Sequence, residues 1–210
     1  MIIIGAGGFA KEILDILFCE VPCNKIVFYD DVSKRDSDLL FGKFRIITDL
    51  EVARNYILSE DRRFTLGIGK PLLRAKFYEK FNELGGVFSS TISRNADIGS
   101  FDIQIGSGCN ILSGVKVSSG VSIGIGCLVY YNTIITHDTT IGDFVELSPG
   151  VTLLGRSVIG DFTQVGAGAI ILPDIKVGKN VVIGAGSVVT KNIADDQLVM
   201  GVPARSVKEI

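Results

Sequence analysis

The chain has 210 residues, enough for one large or two small domains, and 47% of them are hydrophobic, so it can bury a sizeable core. Its 21 basic and 23 acidic residues give a net charge of −2 without runs of one sign, which excludes electrostatic attraction to nucleic acid or to an anionic membrane. No apolar stretch approaches the length of about 18 residues that a membrane span needs, and no basic leader precedes the first strand, so we expect a soluble, cytoplasmic protein.

Residues 1–86 are predicted to form a small α/β domain, because short apolar strands alternate with amphipathic helices. The predicted strands are Met1–Ile4, Lys25–Asp30 and Arg63–Ile68. The helices are marked by an apolar face of Ala10, Ile13, Leu14 and Leu17, by a capping box of Thr48 and Glu51 with a helix to about Leu58, and by Pro71 and Gly85-Gly86 at the two ends of the last helix.

A glycine-rich turn joins the first strand to the first helix. Gly5, Gly7 and Ala10 match the spacing of a dinucleotide-binding fingerprint, and Asp30 follows Ala10 by twenty positions. Bare backbone at a helix N-terminus can approach a phosphate. The domain is about half the size of a dinucleotide-binding fold, so we favour a nucleotide-sugar site over an NAD site. The alternative is that the turn is rich in glycine only for packing and binds no ligand.

Residues 87–210 carry a six-residue repeat. Every sixth residue from Ile105 to Val189 is Ile, Val or Leu, and the residue four positions after each is small or β-branched, from Cys109 to Ser187. A period of six excludes an α-helix and predicts a parallel β-helix with three six-residue sides per coil. Five coils are expected, preceded by a partial coil at Ile92 and Ile98 with one residue inserted near Ser100-Phe101. Glycines recur every eighteen residues, where we expect a side chain to strain the backbone: Gly106, Gly124, Gly142, Gly160 and Gly178.

The four cysteines, Cys19, Cys23, Cys109 and Cys127, are predicted to be reduced thiols. Cys109 and Cys127 are eighteen residues apart, so they should stack as small corner residues on neighbouring coils. The chain has no CxxC pair and only one histidine, which excludes a zinc site and, with it, a carbonic-anhydrase-like β-helix enzyme with about three histidine ligands.

Several motifs together resemble one family. They are Gly5–Glu12 (GAGGFAKE) with Tyr29-Asp30-Asp31 downstream, His137–Phe144 (HDTTIGDF), Ile183–Lys191 (IGAGSVVTK) and Gly201–Ala204 (GVPA). Over essentially its whole length the chain resembles the sialic acid O-acetyltransferase/bacillosamine-pathway N-acetyltransferase family of left-handed β-helix acyltransferases. The resemblance implies a left-handed β-helix, a homotrimer with acetyl-CoA bound between adjacent β-helices, a nucleotide-linked sugar on the N-terminal domain, and a role in the biosynthesis of surface glycans such as lipopolysaccharide.

The resemblance also implies roles for individual residues. His137 matches the catalytic base and Asp138 its acidic neighbour. The residues implied to bind the nucleotide sugar are Gly7, Gly8, Phe9, Asp30, Asp31 and Gly69. Those implied to meet acetyl-CoA are Ala167, Ala185 and Glu146. Glu146 is a departure, because the family often has a second histidine there, and a carboxylate donates no hydrogen bond unless it is protonated.

The implied chemistry suits an imidazole, whose ordinary pKa of about 6.5 allows it to accept a proton at neutral pH. Neighbours in an extended strand point opposite ways, so only a local bend would bring Asp138 to His137. Lys179, Lys191 and Arg205 are either contacts for CoA phosphates or solvated charges. We therefore predict an acetyl-CoA-dependent N-acetyltransferase that acts by direct transfer on a UDP- or dTDP-linked amino sugar. The alternatives are O-acetylation of a free sugar such as sialic acid, and a non-catalytic β-helix scaffold.

Overall fold

The computed structural model describes residues 1–18, 21–33 and 37–209, so Cys19 lies outside the described residues. The chain divides into two compact units, Met1–Thr91 and Ile92–Ile210. The division expected from the sequence, between residues 86 and 87, lies slightly earlier. The difference arises because Val87–Phe88 forms a strand that pairs with Arg63–Phe64 in the sheet of the first unit.

The first unit is a parallel α/β domain with one added hairpin. Its helices are α1 (Gly8–Leu17), α2 (Leu50–Ser59) and α3 (Pro71–Glu83), and its strands are β1 (Ile2–Ile4), β2 (Val27–Tyr29), β3 (Leu39–Leu40), β4 (Phe44–Ile47), β5 (Arg63–Leu66) and β6 (Val87–Phe88). The sheet order is β3-β4-β2-β1-β5-β6, and β3 alone runs antiparallel to its neighbour. The predicted strands and helices are confirmed, whereas the β3–β4 hairpin was not predicted.

Helix α1 buries the four residues that the apolar pattern selected, Ala10, Ile13, Leu14 and Leu17. The predicted capping box of Thr48 and Glu51 is wrong. Asp49 is the N-cap of α2, and its Oδ1 accepts a hydrogen bond of 3.0 Å from the backbone N–H of Val52. The short Asp side chain stands next to the first helical residue, so it reaches the free N–H groups that Thr48, one residue earlier, does not.

The second unit consists of short parallel strands that wind through successive coils. In chain order they are β7 (Thr91–Ile92), β8 (Asp97–Ile98), β9 (Gln104–Ile105), β10 (Asn110–Ile111), β11 (Lys116–Val117), β12 (Ser122–Ile123), β13 (Leu128–Val129), β14 (Ile134–Ile135), β15 (Thr140–Ile141), β16 (Glu146–Leu147), β17 (Thr152–Leu153), β18 (Val158–Ile159), β19 (Gln164–Val165), β20 (Ile170–Ile171), β21 (Lys176–Val177), β22 (Val182–Ile183) and β23 (Val188–Val189). An antiparallel pair, β24 (Gln197–Gly201) and β25 (Ala204–Glu209), follows them.

Every third strand stacks on the same side, which gives three faces. Face A contains β7, β10, β13, β16, β19 and β22 and continues into β24. Face B contains β8, β11, β14, β17, β20 and β23, and face C contains β9, β12, β15, β18 and β21. The predicted left-handed parallel β-helix is confirmed. Ile98 pairs with Val117, nineteen residues on, whereas Ile105 pairs with Ile123, eighteen residues on, so the inserted residue is also confirmed.

The edges between the faces are built by a regular backbone reversal. Every sixth residue has a positive φ, in the series Asp102, Gly108, Gly114, Gly120, Gly126, Asn132, Asp138, Phe144, Gly150, Arg156, Phe162, Gly168, Asp174, Asn180 and Gly186. The small residue after each turn points inward. Cys109 and Cys127 are fully buried at such positions, and their thiols donate to the carbonyls of Gly124 (3.1 Å) and Gly142 (3.0 Å), which confirms their structural role.

The glycines that recur every eighteen residues have a different cause from the one expected. Gly106, Gly124 and the others of that series are not among the residues with positive φ. A Cβ on Gly106 would instead lie 2.6 Å from the backbone carbonyl carbon of Gly124 on the next coil. Close approach of stacked coils therefore excludes a side chain there, and backbone strain does not.

Candidate functional site

The first unit has a cleft of about 270 Å³ at the carboxyl ends of β1, β2 and β5. In the sheet order, β1 lies between β2 and β5, so strands are added on one side of β1 up to β4 and on its other side from β5 onward. Open parallel sheets bind ligands at such a switch point. The lining residues are Gly5, Ala6, Gly7, Tyr29, Asp30, Asp31, Val32, Ser33, Gly67, Ile68, Leu73 and Phe77.

The glycine turn at this cleft is shaped by close contacts. Gly5 has a φ of +95°, and a Cβ on it would lie 2.9 Å from the carbonyl oxygen of Gly67. A Cβ on Gly67 would lie 2.6 Å from the Cβ of Ala10, so Gly67 allows α1 to pack against the strands, whereas Gly5 allows the turn to approach the backbone that follows β5. Gly7, by contrast, is the N-cap of α1 and faces open space, which leaves the start of the helix accessible to an anionic group.

Two carboxylates border the cleft and differ in their partners. Oδ1 of buried Asp30 accepts hydrogen bonds from the backbone N–H groups of Val32 (3.2 Å) and Ser33 (3.0 Å), which fixes the loop after β2. Asp31 accepts a hydrogen bond of 2.8 Å from the hydroxyl of Tyr29, and its Oδ2 lies 3.5 Å from Nζ of Lys80. Burial, and then the hydrogen bond to Asp31, raises the pKa of the Tyr29 hydroxyl, so Tyr29 remains a hydrogen-bond donor.

Of the residues expected to bind a nucleotide sugar, the structure brings Gly7, Asp30 and Asp31 to this cleft. Gly8, Phe9 and Gly69 are not among its lining residues. Sequence reasoning missed Gly67, Ile68, Leu73 and Phe77. Gly67 had a signal in the sequence, since it follows β5 as Gly5 follows β1.

In the second unit, His137 lies at the edge between face B and face C, with its side chain 56% exposed. Asp138 is the positive-φ residue of that turn, with a φ of 59°. This bend directs its carboxylate back toward the imidazole, and Oδ2 of Asp138 lies 2.8 Å from Nδ1 of His137. A carboxylate accepts hydrogen bonds, so the contact places the proton of a neutral ring on Nδ1 and the lone pair on Nε2.

The next coil limits the position of the imidazole. A Cβ on Gly155 would lie 2.6 Å from Cε1 and 2.7 Å from Nε2 of His137. The ring therefore occupies the space that a side chain at 155 would take. Gly155 has no positive φ, so this close approach explains the glycine.

An ion pair lies on the same edge as His137, on the two coils that follow it. Arg156 and Asp174 form a bidentate ion pair, with Nε to Oδ1 at 2.6 Å and NH2 to Oδ2 at 2.9 Å. The hydrogen bond from Arg156 lowers the pKa of Asp174, and the charge of His137 lowers it further. The four side chains of this edge are therefore electrostatically linked.

The residues expected to meet acetyl-CoA lie elsewhere on the same chain. Ala167 and Ala185 precede the turns at Gly168 and Gly186, on the edge between face A and face B. Glu146 lies in β16 on face A and is half-buried, and its Oε1 accepts a hydrogen bond of 3.4 Å from Ser148. A single chain thus does not bring these three residues to His137.

The three cations named as possible phosphate contacts have different surroundings. Nζ of Lys179 lies 2.7 Å from Oδ2 of Asp161, and this hydrogen bond lowers the pKa of Asp161. Lys191 and Arg205 line one cleft of about 330 Å³ at the C-terminal end of the β-helix.

Among the described residues, no group of three or more His, Cys, Asp or Glu could hold a metal ion. No helix in the described ranges combines the length and apolar character needed to cross a bilayer.

Two family descriptions match parts of the chain. Residues 1–81 match the PglD N-terminal domain, and residues 156–191 match the bacterial transferase hexapeptide family (six repeats). A sequence search of curated proteins gives no match.

Solved structures match the chain along nearly its full length. A histidine-to-asparagine variant of perosamine N-acetyltransferase from Caulobacter crescentus, in complex with CoA and GDP-perosamine, has a TM-score of 0.91 and 25% identity, covering 99% of this chain and 96% of that chain. The acetyltransferase domain of PglB from Neisseria gonorrhoeae FA1090, in complex with acetyl coenzyme A, has a TM-score of 0.88 and 29% identity, covering 98% of each. WeeI from Acinetobacter baumannii AYE has a TM-score of 0.88 and 27% identity, again covering 98% of each.

Proposed function

We propose that this chain, whose residues 1–81 match the PglD N-terminal domain and whose residues 156–191 match the bacterial transferase hexapeptide family, transfers the acetyl group of acetyl-CoA to the amino group of a nucleotide-linked sugar. The observation that carries the proposal is the 2.8 Å contact between His137 and Asp138 at an exposed edge. The similar perosamine N-acetyltransferase, which binds CoA and GDP-perosamine, supports this choice of substrates.

His137 acts as the general base in this reaction. Its Nε2 takes a proton from the acceptor amine as the nitrogen attacks the carbonyl carbon of the thioester. The C–N bond forms, the tetrahedral intermediate collapses with cleavage of the C–S bond, and the imidazolium returns the proton to the CoA sulfur. Asp138 orients the ring through Nδ1 and stabilises the imidazolium. The transfer is direct, so no cysteine nucleophile is involved.

The oxyanion of the intermediate needs a hydrogen-bond donor close to the base. The backbone N–H of Gly155 is a suitable donor, because Gly155 adjoins the imidazole and its N–H donates none of the backbone hydrogen bonds found among the described residues. Gly155 therefore serves both as the space for the ring and as the source of an oxyanion contact.

The active site is shared between chains of a homotrimer. Ala167 and Ala185 lie on a different edge from His137, and one side of the coil, five to six residues long, spans about 16–20 Å. Reacting atoms must approach to about 3–3.5 Å, so an acetyl group held at the Ala167 edge is out of reach of the histidine of the same chain. If a neighbouring copy places its Ala167 edge against this His137 edge, the acetyl group that it holds lies within reach of this histidine. Glu146, on face A, then belongs with the acetyl-CoA side of the site.

The nucleotide part of the sugar binds to the first unit, on residues 1–86. The cleft at the switch point offers the start of α1 at Gly7 for a phosphate and the carboxylates of Asp30 and Asp31 for hydroxyl or N–H donors. Gly8, Phe9 and Gly69 lie beside these residues in the sequence and extend the same surface. Residues 87–210 supply the acetyl transfer.

The enzyme works in the cytoplasm on precursors of surface glycans. The free thiols of Cys23, Cys109 and Cys127 are compatible with a reducing compartment.

An acetylation screen by mass spectrometry over UDP-, dTDP- and GDP-linked amino sugars tests the function. At least one nucleotide-linked amino sugar should gain an acetyl group, and His137→Asn should lower kcat by about 10²-fold or more. Acetylation of free sugars alone would contradict the nucleotide-linked acceptor. An absence of both acetylation and acetyl-CoA binding by calorimetry would instead indicate a non-catalytic scaffold.

A further inference from the structure

Three charged residues of alternating sign occupy one edge of the β-helix on successive coils. Asp138, Arg156 and Asp174 are eighteen residues apart and share the positive-φ turn position, with φ values of 59°, 60° and 64°. Stacked parallel strands are separated by about 4.8 Å. The guanidinium of Arg156 is therefore within side-chain reach of two carboxylates, one on the coil before it and one on the coil after it.

Arg156 engages the carboxylate on the later coil. Both oxygens of Asp174 accept from its guanidinium, at 2.6 and 2.9 Å, while Oδ2 of Asp138 lies 2.8 Å from Nδ1 of His137. The hydrogen bond to Asp174 raises the pKa of Arg156, and the charge of Asp138 raises it further. Asp138 thus already attracts the guanidinium, and the bidentate pair with Asp174 outcompetes it.

The charges that act on this group belong to its own members, because the pKa of Arg156 responds to Asp174 and Asp138 and that of Asp174 to Arg156 and His137. On the coil before His137, the equivalent positions are Ser119 and Gly120, and a Cβ on Gly120 would lie 2.5 Å from Oδ1 of Asp138. On the coil after Asp174 the turn is shorter, because Val177 pairs with Ile193, sixteen residues on, and its charged residue, Lys191, is not among the charges that shift the pKa of Asp174. The charge balance at the imidazole is therefore set by Asp138, Arg156 and Asp174.

We propose that Asp174 is a positioning residue that holds the Arg156 guanidinium away from Asp138 and so keeps that carboxylate available to His137. The inference rests on the proposed role of His137 as the base and goes beyond it, since neither Arg156 nor Asp174 touches the reacting atoms. Its structural part, a competition between His137 and Arg156 for one carboxylate, does not depend on which substrate is used.

Asp174→Asn should release Arg156 to Asp138. The hydrogen bond between the imidazole and Asp138 would then weaken, and the guanidinium would lie closer to the ring. This positive charge opposes protonation of Nε2. We expect kcat at neutral pH to fall about tenfold. The acid limb of the pH–rate profile should move to lower pH by about half a unit, the size expected for one added charge a few ångströms away in water.

Two double variants separate this mechanism from a loss of fold. Asp174→Asn with Arg156→Gln removes the competing cation, so kcat and the acid limb should return to near the wild-type values. Asp174→Asn in an Asp138→Asn background should cause no further loss, because no carboxylate remains for Arg156 to capture. A merely structural role for Asp174 predicts additive losses in both double variants, and that result would overturn the proposal.

The single histidine provides a readout that is independent of activity. An NMR titration of the ring proton of His137 reports its protonation directly in the intact protein. Its midpoint should move to lower pH in Asp174→Asn and return in the double variant with Arg156→Gln. Unchanged midpoints would refute the positioning role even in an active enzyme. Shifted midpoints in a protein without His137-dependent acetyl transfer would keep the positioning role and refute the proposed function.

Discussion

Gly155→Ala is the sharpest perturbation of the proposed catalytic edge. The new Cβ would lie 2.6 Å from Cε1 and 2.7 Å from Nε2 of His137, and the three heavy atoms nearest to it all belong to this ring. Ordinary carbon contacts lie near 3.5 Å, so the imidazole must move by about 1 Å. A displacement of this size costs up to about 10²-fold in rate, and we expect kcat to fall by about 10- to 10²-fold. The fold should persist, because an exposed side chain can move without displacing backbone.

Gly106→Ala is the matched control on the same β-helix. Its Cβ would lie 2.6 Å from the backbone of Gly124, so this variant should lower Tm by several degrees. Steady-state kinetics and thermal unfolding of both variants are the assay. A Gly155→Ala enzyme with kcat within two- to threefold of wild type, or with a loss of Tm as large as that of Gly106→Ala, would show that Gly155 does not set the position of the imidazole.

Three further variants test separate parts of the account. Asp138→Asn should lower kcat by on the order of 10²-fold with little change in Tm, because the imidazolium loses its charged partner; stopped assays of acetyl transfer measure this. Burial would raise the pKa of Asp61, which is 15% exposed, but hydrogen bonds from the side chain and backbone of Arg63 outweigh burial and hold it well below its usual range. The stabilisation is therefore present above about pH 4 and lost as the pH falls further, so Asp61→Asn should cost about 1–2 kcal/mol in urea unfolding at pH 7 and much less at pH 2.5. Cys127→Ala should lower the free energy of unfolding by about 1 kcal/mol and leave kcat unchanged, whereas a loss of turnover without a loss of stability would contradict direct transfer.

The fold of the second unit could be predicted because a six-residue period sets the direction of every side chain. One strand forms each side, so the position of Ile105 and its equivalents within the six-residue repeat shows which side chains lie in the core. The position of His137 within the same repeat places it near an edge. The step of seven between Ile98 and Ile105 likewise located the inserted residue. In the first unit, the apolar face of α1 was predicted because helical spacing depends only on local sequence.

The contact between His137 and Asp138 was harder to predict, because strand alternation points neighbouring side chains apart. The positive φ of Asp138 reverses that expectation. The sequence contained the clue, since the same phase holds Gly108, Gly114, Gly120 and Gly126, the residue type that tolerates this turn.

Other features depend on contacts between distant segments. The position of Gly67 after β5 is visible in the sequence, but its close contact with Ala10 depends on how α1 packs against the strands. The same holds for the space that Gly155 leaves to the imidazole, because the two residues meet only when coils stack. The separation of Ala167 and His137 on different edges follows from the three-dimensional arrangement of the faces.

Subunit complementation tests most directly whether the base of one chain serves acetyl-CoA held by its neighbour. His137→Ala removes the base, and Ala167→Trp blocks the edge assigned to acetyl-CoA, so each variant alone should be inactive. In trimers reassembled from equal amounts of both, about a quarter of the interfaces combine an intact His137 with an intact Ala167 edge. We predict that the mixture recovers about a quarter of the wild-type kcat per chain, whereas a mixture as inactive as its components would contradict a shared active site.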